Sequence, residues 1–161
     1  MNNIFLILGF VIGLASCKTA SKDDAASLTS ENGESTTISN NDNDSDSGKA
    51  GGLQTVNFPY DSYELTPDAV NVLKSNVKYL KDNSGVRVQA QGHCDERGST
   101  QYNLALGENR ANAVKKYLTT AGVSTKRIET ISFGEEKPLD SGHNETSWAK
   151  NRRTNFAVLK K

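Results

Sequence analysis

The sequence predicts an α+β domain over residues 53–161, with helices packed on one face of a mixed four-stranded sheet in the order β-α-β-α-β-β. Segments in which apolar and polar residues alternate indicate strands, and segments with apolar residues at three- and four-residue steps indicate helices. Because the two kinds of segment alternate along the chain, we expect two layers, one of helices and one of strands. We expect the opposite face of the sheet to be exposed to solvent.

The first half of the domain begins with a strand and a helix. Residues 53–58 alternate and are followed by Pro59, which ends the strand. The helix begins at Thr66, a hydroxyl N-cap, with Pro67 at its first position and Asp68 where the helix dipole favours a carboxylate. Its apolar stripe contains Val70, Leu73, Val77 and Leu80.

The second half adds three strands and a second helix. Residues 86–91 alternate, so the valines should face the helices. The polar positions of this strand, expected on the wet face, are Arg87, Gln89 and Gln91. A helix over about 101–120 ends near Gly122. Its inward residues are Leu104, Ala111, Val114 and Leu118. Residues 128–133 and 154–159 are the last two strands.

The composition excludes two classes of protein. The 161 residues include 19 lysines and arginines and 19 aspartates and glutamates, so the formal net charge is zero. Nucleic-acid-binding modules usually carry a positive excess, and we therefore expect no nucleic-acid partner. Two cysteines are too few for a disulfide-based scaffold.

Residues 1–16 are typical of a signal peptide. Residues 4–14 form an apolar run shorter than the roughly 20 residues that a membrane-spanning helix needs. Leu-Ala-Ser-Cys at positions 14–17 resembles the lipobox of bacterial lipoproteins. This resemblance implies a covalent lipid on Cys17 and, with Lys18 after it, sorting to the outer membrane. An ordinary secretion site with an incidental cysteine is the alternative, and no other cofactor is expected.

Residues 17–52 are predicted to form a disordered tether. Three lysines and seven acidic residues stand among serine, threonine, asparagine and glycine, and Leu28 and Ile38 are the only sizeable apolar residues. Such a segment buries too little apolar surface to offset the conformational entropy lost on folding. We therefore expect it to connect the lipid to the domain at 53–161.

The polar loop after the second predicted strand carries the most specific pattern in the sequence. It reads Gly-His-Cys-Asp-Glu-Arg-Gly at 92–98, followed by Asn-Leu-Ala-Leu-Gly-Glu-Asn-Arg-Ala at 103–111. Asn-Arg-Arg follows at 151–153, after a short helical turn predicted near 147–150. In this order and spacing the motifs resemble those of OmpA-like peptidoglycan-binding domains, over nearly all of the predicted domain. Cys94 stands where that family usually has threonine, so a hydroxyl hydrogen bond would be weakened or lost.

The predicted binding site combines opposite charges. Asp95 lies just before the second helix and Arg110 lies within it, so in one groove they would bind a zwitterion, the carboxylate holding an ammonium group and the guanidinium a carboxylate. The family resemblance implies that these two residues hold the meso-diaminopimelate of peptidoglycan non-covalently. It also implies four residues that shape the pocket, namely Phe58, Asp61, Asn103 and Leu106.

Each charged residue also has a purely structural interpretation. Taken alone, Asp95 is typical of a turn residue and Arg110 of an exposed helix face. Arg152 and Arg153 lack the interleaved aromatic residues of a nucleic-acid patch. We therefore expect one of these two arginines to brace the loop and the other to be exposed.

An enzyme is the less favoured alternative. His93, Cys94 and Asp95 would suggest a cysteine hydrolase, but adjacent residues tend to point apart, whereas catalytic groups must meet within hydrogen-bond reach. A metal site that also uses His143 falls short of a structural zinc set. We predict a protein that is not an enzyme and holds no metal.

The resulting hypothesis is an outer-membrane lipoprotein, with its domain facing the periplasm, that binds peptidoglycan and tethers the membrane to the cell wall. The resemblance also implies a TolB-like periplasmic partner, other Tol components, and a role in envelope integrity and cell division. The alternative is a tether for a periplasmic protein in which direct binding to the wall contributes little.

Overall fold

The computed structural model describes residues 44–160, which form four strands and three α-helices. In chain order the elements are β1 (Val56–Asn57), α1 (Pro67–Asp82), β2 (Arg87–His93), α2 (Thr100–Thr120), β3 (Ile128–Gly134), α3 (Glu145–Asn151) and β4 (Arg153–Lys160). A 3-10 turn at Thr125–Arg127 leads into β3. The predicted signal peptide, the lipidation site at Cys17 and most of the predicted tether lie outside the described residues.

The four strands form one mixed sheet in the order β1-β4-β2-β3. β2 runs parallel to β3, with Val88 opposite Ile128, and β4 runs antiparallel to both of its neighbours. The core between helices and sheet includes Leu73, Leu80, Val114, Leu118, Val88 and Phe156. This arrangement confirms the α+β prediction of helices packed on a mixed four-stranded sheet.

Both long helices begin and end close to their predicted positions. The Thr66 hydroxyl accepts a hydrogen bond from the Ala69 N–H at 3.2 Å, which caps α1. Ser99 caps α2 in the same way by accepting from the Tyr102 N–H at 3.2 Å. Gly122, with φ of 97°, supplies the left-handed conformation in which α2 terminates.

The first strand is shorter than the sequence predicts. The pattern favoured a strand over residues 53–58, but β1 contains two residues. The buried side-chain amide of Asn76 on α1 accepts from the Gln54 N–H and donates to the Gln54 carbonyl, both at 2.8 Å. These bonds satisfy the backbone groups that a longer strand would pair with β4.

The face of the sheet away from the helices is polar, but the side chains at its centre are buried from solvent. Gln89 and Gln91 are each 8% exposed and are joined by a hydrogen bond of 2.9 Å. His93 is buried, stacks on Phe133 and bonds Asn155 at 3.1 Å. The expectation of a solvent-exposed face is therefore wrong here, because neighbouring polar side chains bond to one another instead of to water.

The last part of the predicted tether is ordered. Asp44 forms an antiparallel bridge with Ala157, continuing the β1 edge along β4. Asp46 accepts a hydrogen bond from Arg153 at 2.8 Å, and Ala50 is 1% exposed. The prediction of disorder through residue 52 is thus wrong for residues 44–52, because a free strand edge and a buried arginine provide partners that local composition does not reveal.

Candidate functional site

A cavity of about 150 Å³ lies where residues 60–61, the β2–α2 loop (residues 94–99) and the first turns of α2 meet. Five of the predicted site residues line it, namely Asp61, Asp95, Asn103, Leu106 and Arg110. The sixth, Phe58, lies outside the lining in the hydrophobic core, with its ring centroid 5.3 Å from the Arg110 guanidinium carbon. The structure thus brings together residues that are far apart in the sequence.

Asp95 is buried and fully hydrogen-bonded. Its Oδ1 accepts from the N–H and the Nε of Arg97, and its Oδ2 accepts from Nη2 of Arg97 at 2.7 Å and Nη1 of Arg152 at 3.2 Å. Burial opposes ionisation of this carboxyl, but the hydrogen bonds from the two arginines outweigh it and lower the pKa of Asp95. The cavity therefore contains a carboxylate that is already neutralised by two protein cations.

Arg110 is also buried, and its guanidinium is held mainly by backbone carbonyls. It donates to the carbonyls of Ser62, His93 and Pro59 at 2.9, 2.8 and 3.1 Å. Burial lowers the pKa of the Arg110 guanidinium, but an arginine side chain stays protonated in proteins. One Nη1 hydrogen points to Cys94, which leaves one of the five N–H donors, on Nη2, without a described partner.

The Cys94 thiol links two elements of the site. It donates to the Asn103 carbonyl and accepts from Nη1 of Arg110, with both heavy-atom distances 3.3 Å. Burial raises the pKa of Cys94 to about 11, so the thiol is neutral at physiological pH. The sequence predicted a weakened or lost bond at this position, and the structure shows two long sulfur hydrogen bonds in its place.

Asn103 and Asp61 also line the cavity. The Asn103 amide donates to the carbonyls of Asp95 and Arg97, at 3.3 and 3.2 Å, and thereby holds the β2–α2 loop against α2. Asp61 has a positive φ of 50° and accepts a hydrogen bond from the Tyr102 hydroxyl. The Asp61 residue is exposed, so it presents a second carboxylate at the rim.

Arg97 is a residue of the site for which the sequence indicates no role. Its guanidinium lies between two aromatic rings, 4.0 Å from the Tyr60 centroid and 4.1 Å from the Trp148 centroid. Trp148 on α3 is held in turn by a hydrogen bond from its Nε1 to Glu96 at 2.9 Å. Arg97 stands within the loop motif, but its aromatic neighbours are far away in the sequence and could be found only from the fold.

The adjacent arginines Arg152 and Arg153 have different roles. Arg152 braces the site, because it bonds Asp95 and also donates to the Phe58 carbonyl at 3.2 Å, as predicted for one of the pair. The expectation that the other is exposed is wrong. Arg153 is 4% exposed and pairs with Asp46 on the preceding segment.

His93, Cys94 and Asp95 are not arranged as a cysteine hydrolase requires. His93 bonds Asn155 and His143 bonds Glu96, whereas the Cys94 thiol bonds Asn103 and Arg110. The raised pKa of Cys94 is the opposite of what nucleophilic activation requires. Within residues 44–160 no cluster of three or more histidine, cysteine, aspartate or glutamate side chains is arranged to hold a metal ion.

The fold and cavity define a domain of a known class. Residues 57–152, more than half of the chain, match the OmpA family, and the chain therefore belongs to the OmpA family. It is similar over almost its whole length to the peptidoglycan-associated lipoprotein of Haemophilus influenzae, with 38% identity over 156 residues and 94% of both chains covered. Members of this family have a structural role and are not enzymes, which confirms the prediction that the chain is not an enzyme.

Two further relatives extend the comparison. The peptidoglycan-associated lipoprotein of Pseudomonas aeruginosa is 50% identical over 101 residues, which are 63% of this chain and 60% of that protein's length. The crystal structure of the peptidoglycan-associated lipoprotein from Burkholderia pseudomallei has a TM-score of 0.63 and 40% identity, covering 68% of this chain and 92% of that one. The C-terminal domain of Helicobacter pylori MotB, at 20% identity and a TM-score of 0.63, shares the fold.

These relatives imply a location in the bacterial envelope. Among the described residues 44–160, no helix is both long and apolar enough to cross a membrane.

Proposed function

We propose that the cavity binds the zwitterionic end of meso-diaminopimelate in peptidoglycan stem peptides, and that the chain thereby tethers the outer membrane to the cell wall. One observation carries this proposal: Asp95 and Arg110 line the same cavity of about 150 Å³. A volume of this size accommodates the end of one amino-acid side chain rather than a whole peptide. The names of the relatives support peptidoglycan as the source of that side chain.

The two charged groups of the ligand have separate partners in the cavity. The ammonium group would bond the carboxylates of Asp95 and Asp61, and the carboxylate would accept the unpaired Nη2 hydrogen of Arg110. L-Lysine, which replaces diaminopimelate in other cell walls, lacks that carboxylate. Binding should therefore discriminate between the two types of wall, and it involves no covalent step.

The anchor is the second part of the proposal. A lipid on Cys17 would hold the chain on the outer membrane, with the domain in the periplasm. One acyl chain binds a membrane only marginally, so stable anchoring needs the second acylation that a lipobox implies. Confinement near a dense array of stem peptides raises the effective concentration and makes individually weak contacts sufficient.

A pull-down with purified sacculi tests the wall-binding function. The detergent-solubilised full chain should sediment with diaminopimelate-type sacculi and not with lysine-type sacculi. Binding should be lost in Asp95→Ala and Arg110→Ala, and reduced in Asp61→Asn, which changes an exposed residue and preserves the fold. Asp82→Asn, an exposed carboxylate at the end of α1, is the matched control and should bind normally.

The lipid has a test of its own. Mass spectrometry of the chain purified from membranes should show acylation at Cys17, and Cys17→Ser should move the protein from the membrane to the soluble fraction. A membrane-bound Cys17→Ser variant would contradict the lipid anchor.

A periplasmic protein partner is the second candidate function, and one observation favours it. Tyr60, Tyr63 and Tyr102 are 59, 52 and 51% exposed, and the first and last of them line the cavity. Exposed tyrosines are typical of protein interfaces. A TolB-like protein, with other Tol components and a role in cell division, would use this surface. A folded wild-type chain that does not sediment with purified sacculi would favour this candidate over the wall.

A further inference from the structure

Asp95 has no free position for an incoming ammonium group. A carboxylate accepts about four hydrogen bonds, and Asp95 already accepts three from Arg97 and one from Arg152. The residue is also only 4% exposed. A ligand cation that binds this carboxylate must therefore displace one of the two arginines.

Arg152 is the less displaceable of the two. Its side chain is 8% exposed, and it is also held by the Phe58 carbonyl at 3.2 Å and by Glu145 at 2.7 Å. Removing it from Asp95 would leave a buried guanidinium with an unpaired donor, which is costly.

Arg97 is held in a way that permits movement. Its side chain is 29% exposed, and apart from Asp95 its contacts are the rings of Tyr60 and Trp148 and the Glu145 carboxylate at 3.6 Å. A cation is attracted to an aromatic ring when it lies over the ring face within about 6 Å of the centroid, so Arg97, at 4.0 and 4.1 Å, can move some distance and stay within this range. Arg97 can thus shift between the rings toward Glu145 and keep both a favourable environment and a counter-charge.

On the basis of the proposed function, we propose that Arg97 is an internal counter-ion that occupies the ammonium position on Asp95 and is displaced toward Glu145 when a stem peptide binds. The exchange makes Arg97 a specificity-determining residue. An amine alone replaces one ion pair on Asp95 with another and gains little. A ligand that also carries a carboxylate gains the bond to Arg110, and this second contact drives the exchange.

The Trp148 ring that stacks on Arg97 is held in place by groups other than Arg97. Trp148 Nε1 bonds Glu96, which in turn accepts from His143 Nδ1 at 2.7 Å. Hydrogen bonds from His143 and Trp148 lower the pKa of Glu96, so this carboxylate is ionised at neutral pH. Trp148 therefore stays in place while Arg97 moves across its ring.

Trp148 is the single tryptophan of the chain and reports the displacement directly. We would titrate the detergent-solubilised full chain with the free tripeptide L-Ala-γ-D-Glu-meso-diaminopimelate, following binding by calorimetry and Trp148 by fluorescence. Because Trp148 does not line the cavity, a fluorescence change on binding indicates movement of Arg97. In Arg97→Met we expect the Kd to be lower by about fivefold, because the ligand no longer has to break the partly exposed ion pair between Arg97 and Asp95. We expect no fluorescence change in this variant. Arg87→Met, which removes an exposed arginine paired with Glu129, is the matched control and should behave as wild type.

The outcomes separate this inference from the proposed function. Calorimetric binding without a fluorescence change in the wild type, or weaker binding by Arg97→Met, overturns the displacement and leaves the wall-binding proposal intact. No binding by the wild type contradicts the proposed function itself. Should Arg97→Met fail to fold, which circular dichroism would show, the wild-type fluorescence titration decides the question.

Discussion

Gly92 of β2 and Gly107 of α2 lie in backbone contact. A Cβ atom on Gly92 would stand 1.8 Å from the Gly107 carbonyl oxygen, and one on Gly107 would stand 2.3 Å from Oγ of Ser132. This close approach seats the first half of α2 directly on the sheet. It brings Arg110, one turn further along α2, within reach of the end of β2 and of Cys94 in the β2–α2 loop.

Replacing Gly92 with alanine should therefore be strongly destabilising. The added methyl group meets backbone rather than a flexible side chain, so α2 must move away from β2. We expect a loss of about 3 kcal/mol or more in the free energy of unfolding, measured by urea denaturation, together with loss of sacculus binding. Gly85→Ala is the control, because its Cβ would meet nothing within 4 Å, and it should change stability by about 0.5 kcal/mol or less. Equal effects of the two substitutions would show that the glycine contact is unimportant.

The pair between Asp46 and Arg153 should anchor the segment before the sheet. Their side chains are 9 and 5% exposed, so Asp46→Ala leaves a buried guanidinium without its carboxylate. We expect the free energy of unfolding to fall by about 3 kcal/mol. Asp82→Ala breaks an exposed pair with Lys78 on α1 and should cost about 0.5 kcal/mol or less. A cost for Asp46→Ala no greater than this would place residues 44–52 outside the cooperative fold.

His93 should make the domain sensitive to acid. Burial, with a smaller contribution from Arg153, lowers the pKa of His93 to about 3, against 6.5 for an ordinary histidine. Between these values the unfolded chain binds a proton that the folded chain does not, so stability is full above pH 6.5 and is lost as pH falls toward 3. The loss amounts to about 1.4 kcal/mol per pH unit, or about 2 kcal/mol by pH 5.

Urea denaturation at pH 7 and pH 5 measures this effect. His93→Gln should show a smaller decrease in stability over that range than the wild type. His143→Gln, which changes an exposed histidine, should retain the decrease. A wild-type stability that does not change between the two values of pH would contradict a buried neutral His93.

The Cys94 thiol should be unreactive in the folded protein. Its pKa of about 11 lies two units above the ordinary value of 9.0, and the thiolate is the species that alkylating reagents attack. At pH 8 in the native state we expect alkylation by iodoacetamide to be about 100-fold slower than in urea, because the thiolate fraction falls tenfold per pKa unit. Mass spectrometry of the Cys94 peptide distinguishes it from Cys17. Comparable rates in the two states would mean that the thiol is accessible.

Local sequence patterns determined the helices and most of the sheet. Thr66 and Pro67 marked the start of α1, and the residues around Gly122 marked the end of α2, because capping depends on side chains within one turn of the helix end. The motifs around Asp95 and Arg110 likewise identified two residues that line one cavity. The spacing of apolar residues and the capping of helices are local properties, so they can be recognised directly in the sequence.

Tertiary contacts determined the features that local sequence patterns did not predict. Asn76 shortened β1, and Arg153 ordered a segment whose composition is typical of disorder. The stacking of Arg97 on Trp148 joins residues 51 positions apart, and nothing in the spacing of the sequence indicates this contact. A buried charge or amide takes its partner from whatever the fold places beside it, and only the three-dimensional arrangement specifies that neighbour.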